Sequence, residues 1–95
     1  MMKLLSTNEI NNRLDVIRDW KFVNNSLEKD YTLKSFVDGL AFIIKVGIEA
    51  EKLDHHPNVL LHNWNKVRIT ISTHSKGGVT EKDFELAKQI DQINL

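Results

Sequence analysis

The chain has no cysteine, a single proline and only four glycines in its 95 residues. Without cysteine there is no disulfide framework, no thiolate metal site and no cysteine nucleophile, and a reducing compartment is permitted. So little proline and glycine leaves no stretch that reads as a linker or disordered tail. An excess of one charge is missing too, since thirteen Lys and Arg offset thirteen Asp and Glu. No net field draws the chain to nucleic acid or to an anionic membrane, and no Lys or Arg run makes a local basic patch. No apolar run approaches the length of a membrane span. The opening "MMKLLSTNEI" turns polar too soon for a signal peptide, so a cytoplasmic location is expected. What is present suits one globular domain over residues 1–95: 41% hydrophobic and 27% charged residues make an ordinary soluble composition with a modest core.

The apolar pattern changes period along the chain. Ser6 and Glu9 form a capping-box signal with Leu5 and Ile10 at the staple positions, and Ile10, Leu14 and Ile17 give one face of a first helix. "WKFVNNSLEKDYTLKSF" predicts a hairpin turning at Asn24-Asn25, whose return strand points Leu27, Tyr31 and Leu33 inward with Lys29 as the exception. Residues 35 to 53 predict the main helix, capped by Ser35. Its polar residues Asp38, Lys45, Glu49 and Lys52 fall on one narrow stripe, so the helix should be covered on most sides, either by the sheet and the other helices alone or, as preferred in so short a chain, in part by a partner subunit. A second hairpin is expected from Val59 to Asn63 and from Val67 to Ile71, with its turn in "NWNK" and His74 on the polar side at the strand's end. "SKGG" reads as a flexible loop. Thr80 and Asp83 then cap a last helix that buries Phe84, Ala87, Ile90 and Ile93. The order αββαββα predicts an α+β fold, a four-stranded antiparallel sheet with three helices on one face.

The stretch "AEKLDHHPN" carries the chemistry. Glu51 lies roughly 120° around the helix from the polar stripe and, four residues before His55, is expected to neighbour it if the last turn persists. Pro57 forces the helix to loosen by His56, leaving both histidines on a rigid corner beside Asp54. The helix C-terminus and nearby carboxylates favour imidazolium, which suits a proton donor or acceptor. The other readings are a solvated helix cap and a metal site. Adjacent histidines point in different directions, and a third ligand would have to be His62, His74 or a carboxylate. His62 reads as a surface strand residue, and capping already accounts for Asp83. No nucleotide-binding or nucleophile-elbow motif is present. The residues by themselves give two corner histidines and a third at a strand end that could converge on one acid–base site.

In full, the pattern is Glu51, "KLD", His55-His56-Pro57, six residues, Trp64, nine residues, His74, eight residues and Asp83. It resembles the signature of the pterin-4a-carbinolamine dehydratase family. "NKVRITISTH", "LAKQID", Trp20 and the main helix extend the resemblance over nearly the whole chain, although Val59 stands where members often carry a tryptophan. The resemblance implies loss of water from a 4a-hydroxytetrahydropterin to give quinonoid dihydropterin, in tetrahydropterin recycling, with no metal or redox cofactor. It implies an acid–base pair of His55 and His74, with His56 mainly holding substrate. Asp54 and the backbone of Ser72, Thr73 and Ser75 would line the pterin site, Glu51 would orient the histidines, and Trp64 and Asp83 would be structural residues near it. A homodimer or homotetramer is implied. Animal members also act as dimerisation cofactors of a homeodomain transcription factor, so a non-catalytic binding module is the alternative, without direct nucleic-acid or membrane contact.

Overall fold

The structure, a computed structural model, describes residues 2–94. Ser6 accepts from the Glu9 amide and Glu9 accepts from the Ser6 amide, closing the capping box of α1 (Thr7–Arg13). Such a cap is worth about 1 kcal/mol. The helix is shorter than its apolar spacing predicts. It tightens into a 3₁₀ turn at Leu14–Val16, and Ile17 is already extended, with φ −123° and ψ 123°. Ile17 is buried all the same. Its place in the pattern reflects the core, not the helix period.

Strands β1 (Lys21–Val23) and β2 (Ser26–Thr32) form the first hairpin. Asn24 and Asn25 sit at φ 50° and 60°, the left-handed pair that a two-residue turn requires. Trp20 stands just before β1 and Leu33 just after β2, and both are buried. On β2, Leu27 and Tyr31 face the core. Lys29 lies between them and donates to Asp91 at 2.8 Å, which explains a lysine on an inward face.

Helix α2 (Phe36–Leu53) begins where the Ser35 side chain accepts from the Asp38 amide. One face buries Gly39, Phe42, Val46 and Ala50. A Cβ at Gly39 would stand 3.0 Å from Leu61 Cδ1, so the glycine lets the helix lie close against the sheet. A second face carries Asp38, Lys45 and Lys52 into solvent. The third face is apolar and exposed: Val37, Leu40, Ile44 and Ile48, with Phe36 at its start. The broad cover expected of this helix is therefore not supplied by the chain's own sheet and helices.

Strands β3 (Asn58–His62) and β4 (Lys66–Ile71) form the second hairpin. β3 lies one residue earlier than expected because Asn63 belongs to the turn. Asn63 and Trp64 sit at φ 47° and 57°. The sheet is antiparallel throughout in the order β1-β2-β4-β3. β4 is central, and its Val67, Ile69 and Ile71 are fully buried, each contributing about 1.5–3 kcal/mol by area. Helix α3 (Glu81–Asp91) adds Phe84, Leu86, Ala87 and Ile90 to the same core. The helices cover one face. The other is polar, with Arg68 donating to both Asp30 oxygens at 2.8 and 3.1 Å. This is the α+β architecture expected from the sequence. For function, what matters is that the end of α2, the end of β4 and the start of α3 meet at one end of the sheet.

Candidate active site

Asp54 ends α2 in the left-handed region, at φ 49° and ψ 45°, a conformation that aspartate tolerates better than most residues. Its amide donates to the carbonyls of Ala50 and Glu51, and the His55 amide donates to Ala50 O at 3.0 Å. The chain reverses here, and Pro57 sets its extended course into β3. The reversal overturns the expected Glu51–His55 pairing. His56 swings back over the last helical turn, and its Nε2 lies 2.5 Å from Glu51 Oε2. Those side chains are 61% and 75% exposed, so water screens the pair and it contributes little to stability.

His55 turns inward instead. Its side chain is only 11% exposed, and its Nε2 lies 2.5 Å from Asp83 Oδ1. Asp83 is fully buried. Its Oδ2 accepts the Thr80 amide at 2.7 Å and the Thr73 hydroxyl at 2.8 Å. A buried carboxylate needs such donors, and the N-terminus of α3 adds a favourable dipole. The capping role expected of Asp83 is real, but it occupies one oxygen. The other holds a histidine. Facing an acceptor, Nε2 of His55 carries hydrogen, and Nδ1 is left as the lone-pair nitrogen of the neutral ring.

The alternation of β4 continues beyond Ile71, so Thr73 is buried and His74 exposed, on the side expected. Thr73 pairs with Gly78, its amide donating to Gly78 O at 2.8 Å, and Gly77 at φ 71° closes the 3₁₀ turn His74–Lys76. "SKGG" thus folds into a hydrogen-bonded turn. It seats His74 at the cleft's mouth.

An open cleft of about 280 Å³ lies at this corner, bordered by Asp54, His55, His56, Ser72, Thr73, His74 and Ser75. Seven residues proposed for the site from sequence are therefore brought together. Asp83 stands behind His55, and Glu51 reaches the cleft through His56. Trp64 is not brought in. It sits on the opposite end of the β3–β4 hairpin, 62% exposed. Thr73 differs from expectation in another way, because its hydroxyl points inward to Asp83. Met2 and Lys82 also border the cleft. Nothing in the histidine spacing pointed to them, yet a capping box at Thr80 and Asp83 necessarily places Lys82 at the same helix mouth. His62 lies in β3 with its ring Nε2 buried and unpartnered. Among the described residues, no three His, Asp or Glu side chains are grouped to hold a metal ion. The cleft offers imidazoles, a cation and hydroxyls to a small polar ligand, with one imidazole set in a fixed orientation. That is equipment for moving protons.

The comparisons with known proteins agree with the motif. The family model described as pterin 4 alpha carbinolamine dehydratase matches residues 3–93. A Sulfolobus acidocaldarius protein provisionally named pterin-4-alpha-carbinolamine dehydratase is 46% identical over 89 residues, covering 94% of this chain and 97% of its own. One of the same name from Trichodesmium erythraeum is 43% identical over 94 residues, covering 99% and 100%. Among solved structures, a transcriptional coactivator/pterin dehydratase from Brucella melitensis superposes with a TM-score of 0.87 at 32% identity, over 94% of this chain and 96% of that one. A pterin dehydratase-like protein identified as a RuBisCO assembly factor of the alpha-carboxysome shares the fold, with a TM-score of 0.59 at 22% identity over 76% of this chain and 82% of its own. With its fold, its histidine corner and a match over nearly its whole length, the chain belongs to the pterin 4 alpha carbinolamine dehydratase family.

Proposed function

We propose that the protein dehydrates a 4a-hydroxytetrahydropterin to the quinonoid dihydropterin and water by histidine acid–base catalysis, in tetrahydropterin recycling. The reaction breaks the C4a–O bond, and the hydroxyl leaves with a proton as water. The N5–H bond gives up its proton, and its electron pair becomes the new C4a=N5 bond. One acid and one base therefore suffice, and the enzyme's proton count is restored at the end of each turnover. His55 and His74 are assigned to these transfers and His56 to holding the substrate. Asp54 and the backbone of Ser72, Thr73 and Ser75 line the pterin. The observation that carries this reading is the His55–Asp83 contact of 2.5 Å at the edge of a cleft that His74 also borders. A carboxylate behind an imidazole stabilises the imidazolium that forms when the ring takes a proton, and it aims the ring.

The test is stopped-flow absorbance with a 4a-hydroxytetrahydropterin. Purified protein is expected to accelerate dehydration over the spontaneous rate. His55→Ala and His74→Ala should each slow turnover by roughly 10²-fold or more, the usual contribution of a positioned acid or base. No acceleration by the unmodified protein would end the enzymatic reading.

A second reading rests on a different observation. Val37, Leu40, Ile44 and Ile48 form an exposed apolar stripe along α2, larger than scattered surface residues would give. A homodimer or homotetramer that joins α2 helices would cover it, and so would a partner protein in a non-catalytic, transcription-cofactor role such as the name of the Brucella relative suggests. The enzymatic reading is preferred because a scaffold has no use for a buried carboxylate aimed at a histidine. Light scattering of the unmodified protein and of Ile44→Glu distinguishes the two. A homo-oligomer that falls to monomer on substitution favours self-association, and a monomer at the outset favours a partner protein.

A further inference from the structure

The groups behind Asp83 form a chain of hydrogen bonds whose shortest contacts set its direction. Thr73 Oγ1 lies 2.8 Å from Asp83 Oδ2 and 2.9 Å from Thr80 Oγ1. Thr80 Oγ1 in turn accepts from the Lys82 amide at 3.3 Å and lies at longer range from Asp83 Oδ2, at 3.5 Å, and from Met2 Sδ, at 3.7 Å. Thr73 and Thr80 are both buried, at 3% and 0% exposure. Each hydroxyl has one hydrogen to give. If Thr73 gave its hydrogen to Thr80, two oxygens would face each other at 2.8 Å across Asp83 with no proton between them. The arrangement without such a clash runs from the Lys82 amide to Thr80, from Thr80 to Thr73, and from Thr73 to Asp83. Oδ2 thus accepts both the Thr73 hydroxyl and the Thr80 amide. Oδ1 is left for His55.

We infer that Thr73 is a positioning residue: its hydroxyl pins Oδ2 of Asp83 so that Oδ1 fixes His55 as the Nε2–H tautomer and presents Nδ1 to the substrate. The inference rests on the acid–base reading of His55 for its effect on turnover, but the ring state it fixes can be observed without substrate. Thr73 thereby serves the site through its buried side chain, a role separate from the backbone contact assigned to it above. A carboxylate left with the Thr80 amide and the distant Thr80 hydroxyl can rotate about its Cβ–Cγ bond and share either oxygen with the ring. The imidazole then loses its single orientation.

The experiment is ¹⁵N NMR of the His55 ring in the ligand-free protein, on the unmodified chain, Thr73→Val and Thr73→Ser. Valine keeps the shape and deletes the hydroxyl, while serine keeps the hydroxyl. In the unmodified protein at neutral pH, Nε2 is expected to be protonated and Nδ1 to be the imine nitrogen. Thr73→Ser should retain that signature, and Thr73→Val should give mixed tautomers. Stopped-flow turnover should fall roughly tenfold or more in Thr73→Val, the equivalent of one charge-assisted hydrogen bond, with KM little changed. An Nδ1–H tautomer in the unmodified protein overturns the inference, and that measurement needs no variant to fold. A Thr73→Val ring indistinguishable from the unmodified one also overturns it, as does a Thr73→Ser ring that matches Thr73→Val. If the ring signatures follow expectation but no form of the protein dehydrates the pterin, the positioning role stands and the proposed reaction fails.

Discussion

Helix α3 carries two inward carboxylates eight residues apart, Asp83 at its start and Asp91 at its end. Both gather three kinds of donor, but for different ends. Asp91 accepts Trp20 Nε1 at 3.0 Å, Lys29 Nζ at 2.8 Å and the Tyr31 hydroxyl. It ties the first hairpin to the last helix across more than sixty residues of chain, and none of its partners borders the histidine cleft. Asp83 accepts Thr80, Thr73 and His55, and the last of these opens onto the cleft. The same residue type on one helix thus holds the fold together at one end and a histidine of the cleft at the other. Burial alone does not tell them apart, since Asp83 is the more buried of the two. What differs is whether one partner keeps a face toward open space.

The sharpest way to break the comparison is Asp83→Asn. Asparagine has one acceptor oxygen, and if that oxygen keeps the Thr80 and Thr73 donors, its NH₂ faces His55 and forces the wrong tautomer. Turnover should fall by roughly 10²- to 10⁴-fold, read by stopped-flow on protein shown to be folded by circular dichroism. Asp91→Ala should do the reverse. It leaves Lys29, only 14% exposed at its side chain, without its partner, and should cost about 2–3 kcal/mol in urea denaturation, with turnover per folded molecule unchanged. Tyr31 sharpens the structural end by pH. Burial, with the Asp91 bond second, raises its phenol above the ordinary value of 10.0. The folded state therefore keeps a proton that the unfolded state releases above about pH 10. This stabilisation is present below that pH and declines as pH rises further. The alkaline fall in stability should be shallower in Tyr31→Phe, as measured by denaturation midpoints from pH 9 to 11. The smallest effect is expected from His62→Ala, which should turn over within about twofold of the unmodified protein, because His62 lies outside the cleft. A loss matching that of His55→Ala would place the site wrongly.

Much of the frame that carries the two carboxylates was legible in the sequence because its signals are local. The alternation of β2 and β4, both capping boxes and the Asn24-Asn25 turn depend on neighbouring residues, and each forms where expected. The corner at Pro57 and the polar-side placement of His74 follow from the same kind of rule. What was not legible depends on contacts between distant elements. Spacing of four pairs Glu51 with His55 only while the helix continues, and the left-handed turn at Asp54 sends His55 to α3 instead. Capping explained Asp83 so fully that its second oxygen went unclaimed. Lys29 looked anomalous until Asp91, 62 residues on, supplied its partner. Trp64 fits the motif spacing, yet the hairpin carries it to the far end of the sheet, a reminder that spacing along a chain is not distance.

The most direct test is stopped-flow dehydration of a 4a-hydroxytetrahydropterin by the unmodified protein, Asp83→Asn and Asp91→Asn, each normalised to folded protein. The expected result is acceleration by the unmodified protein, loss of about 10²-fold or more in Asp83→Asn, and turnover within about twofold of the unmodified protein in Asp91→Asn. Equal losses in the two variants, or no acceleration by the unmodified protein, would contradict it.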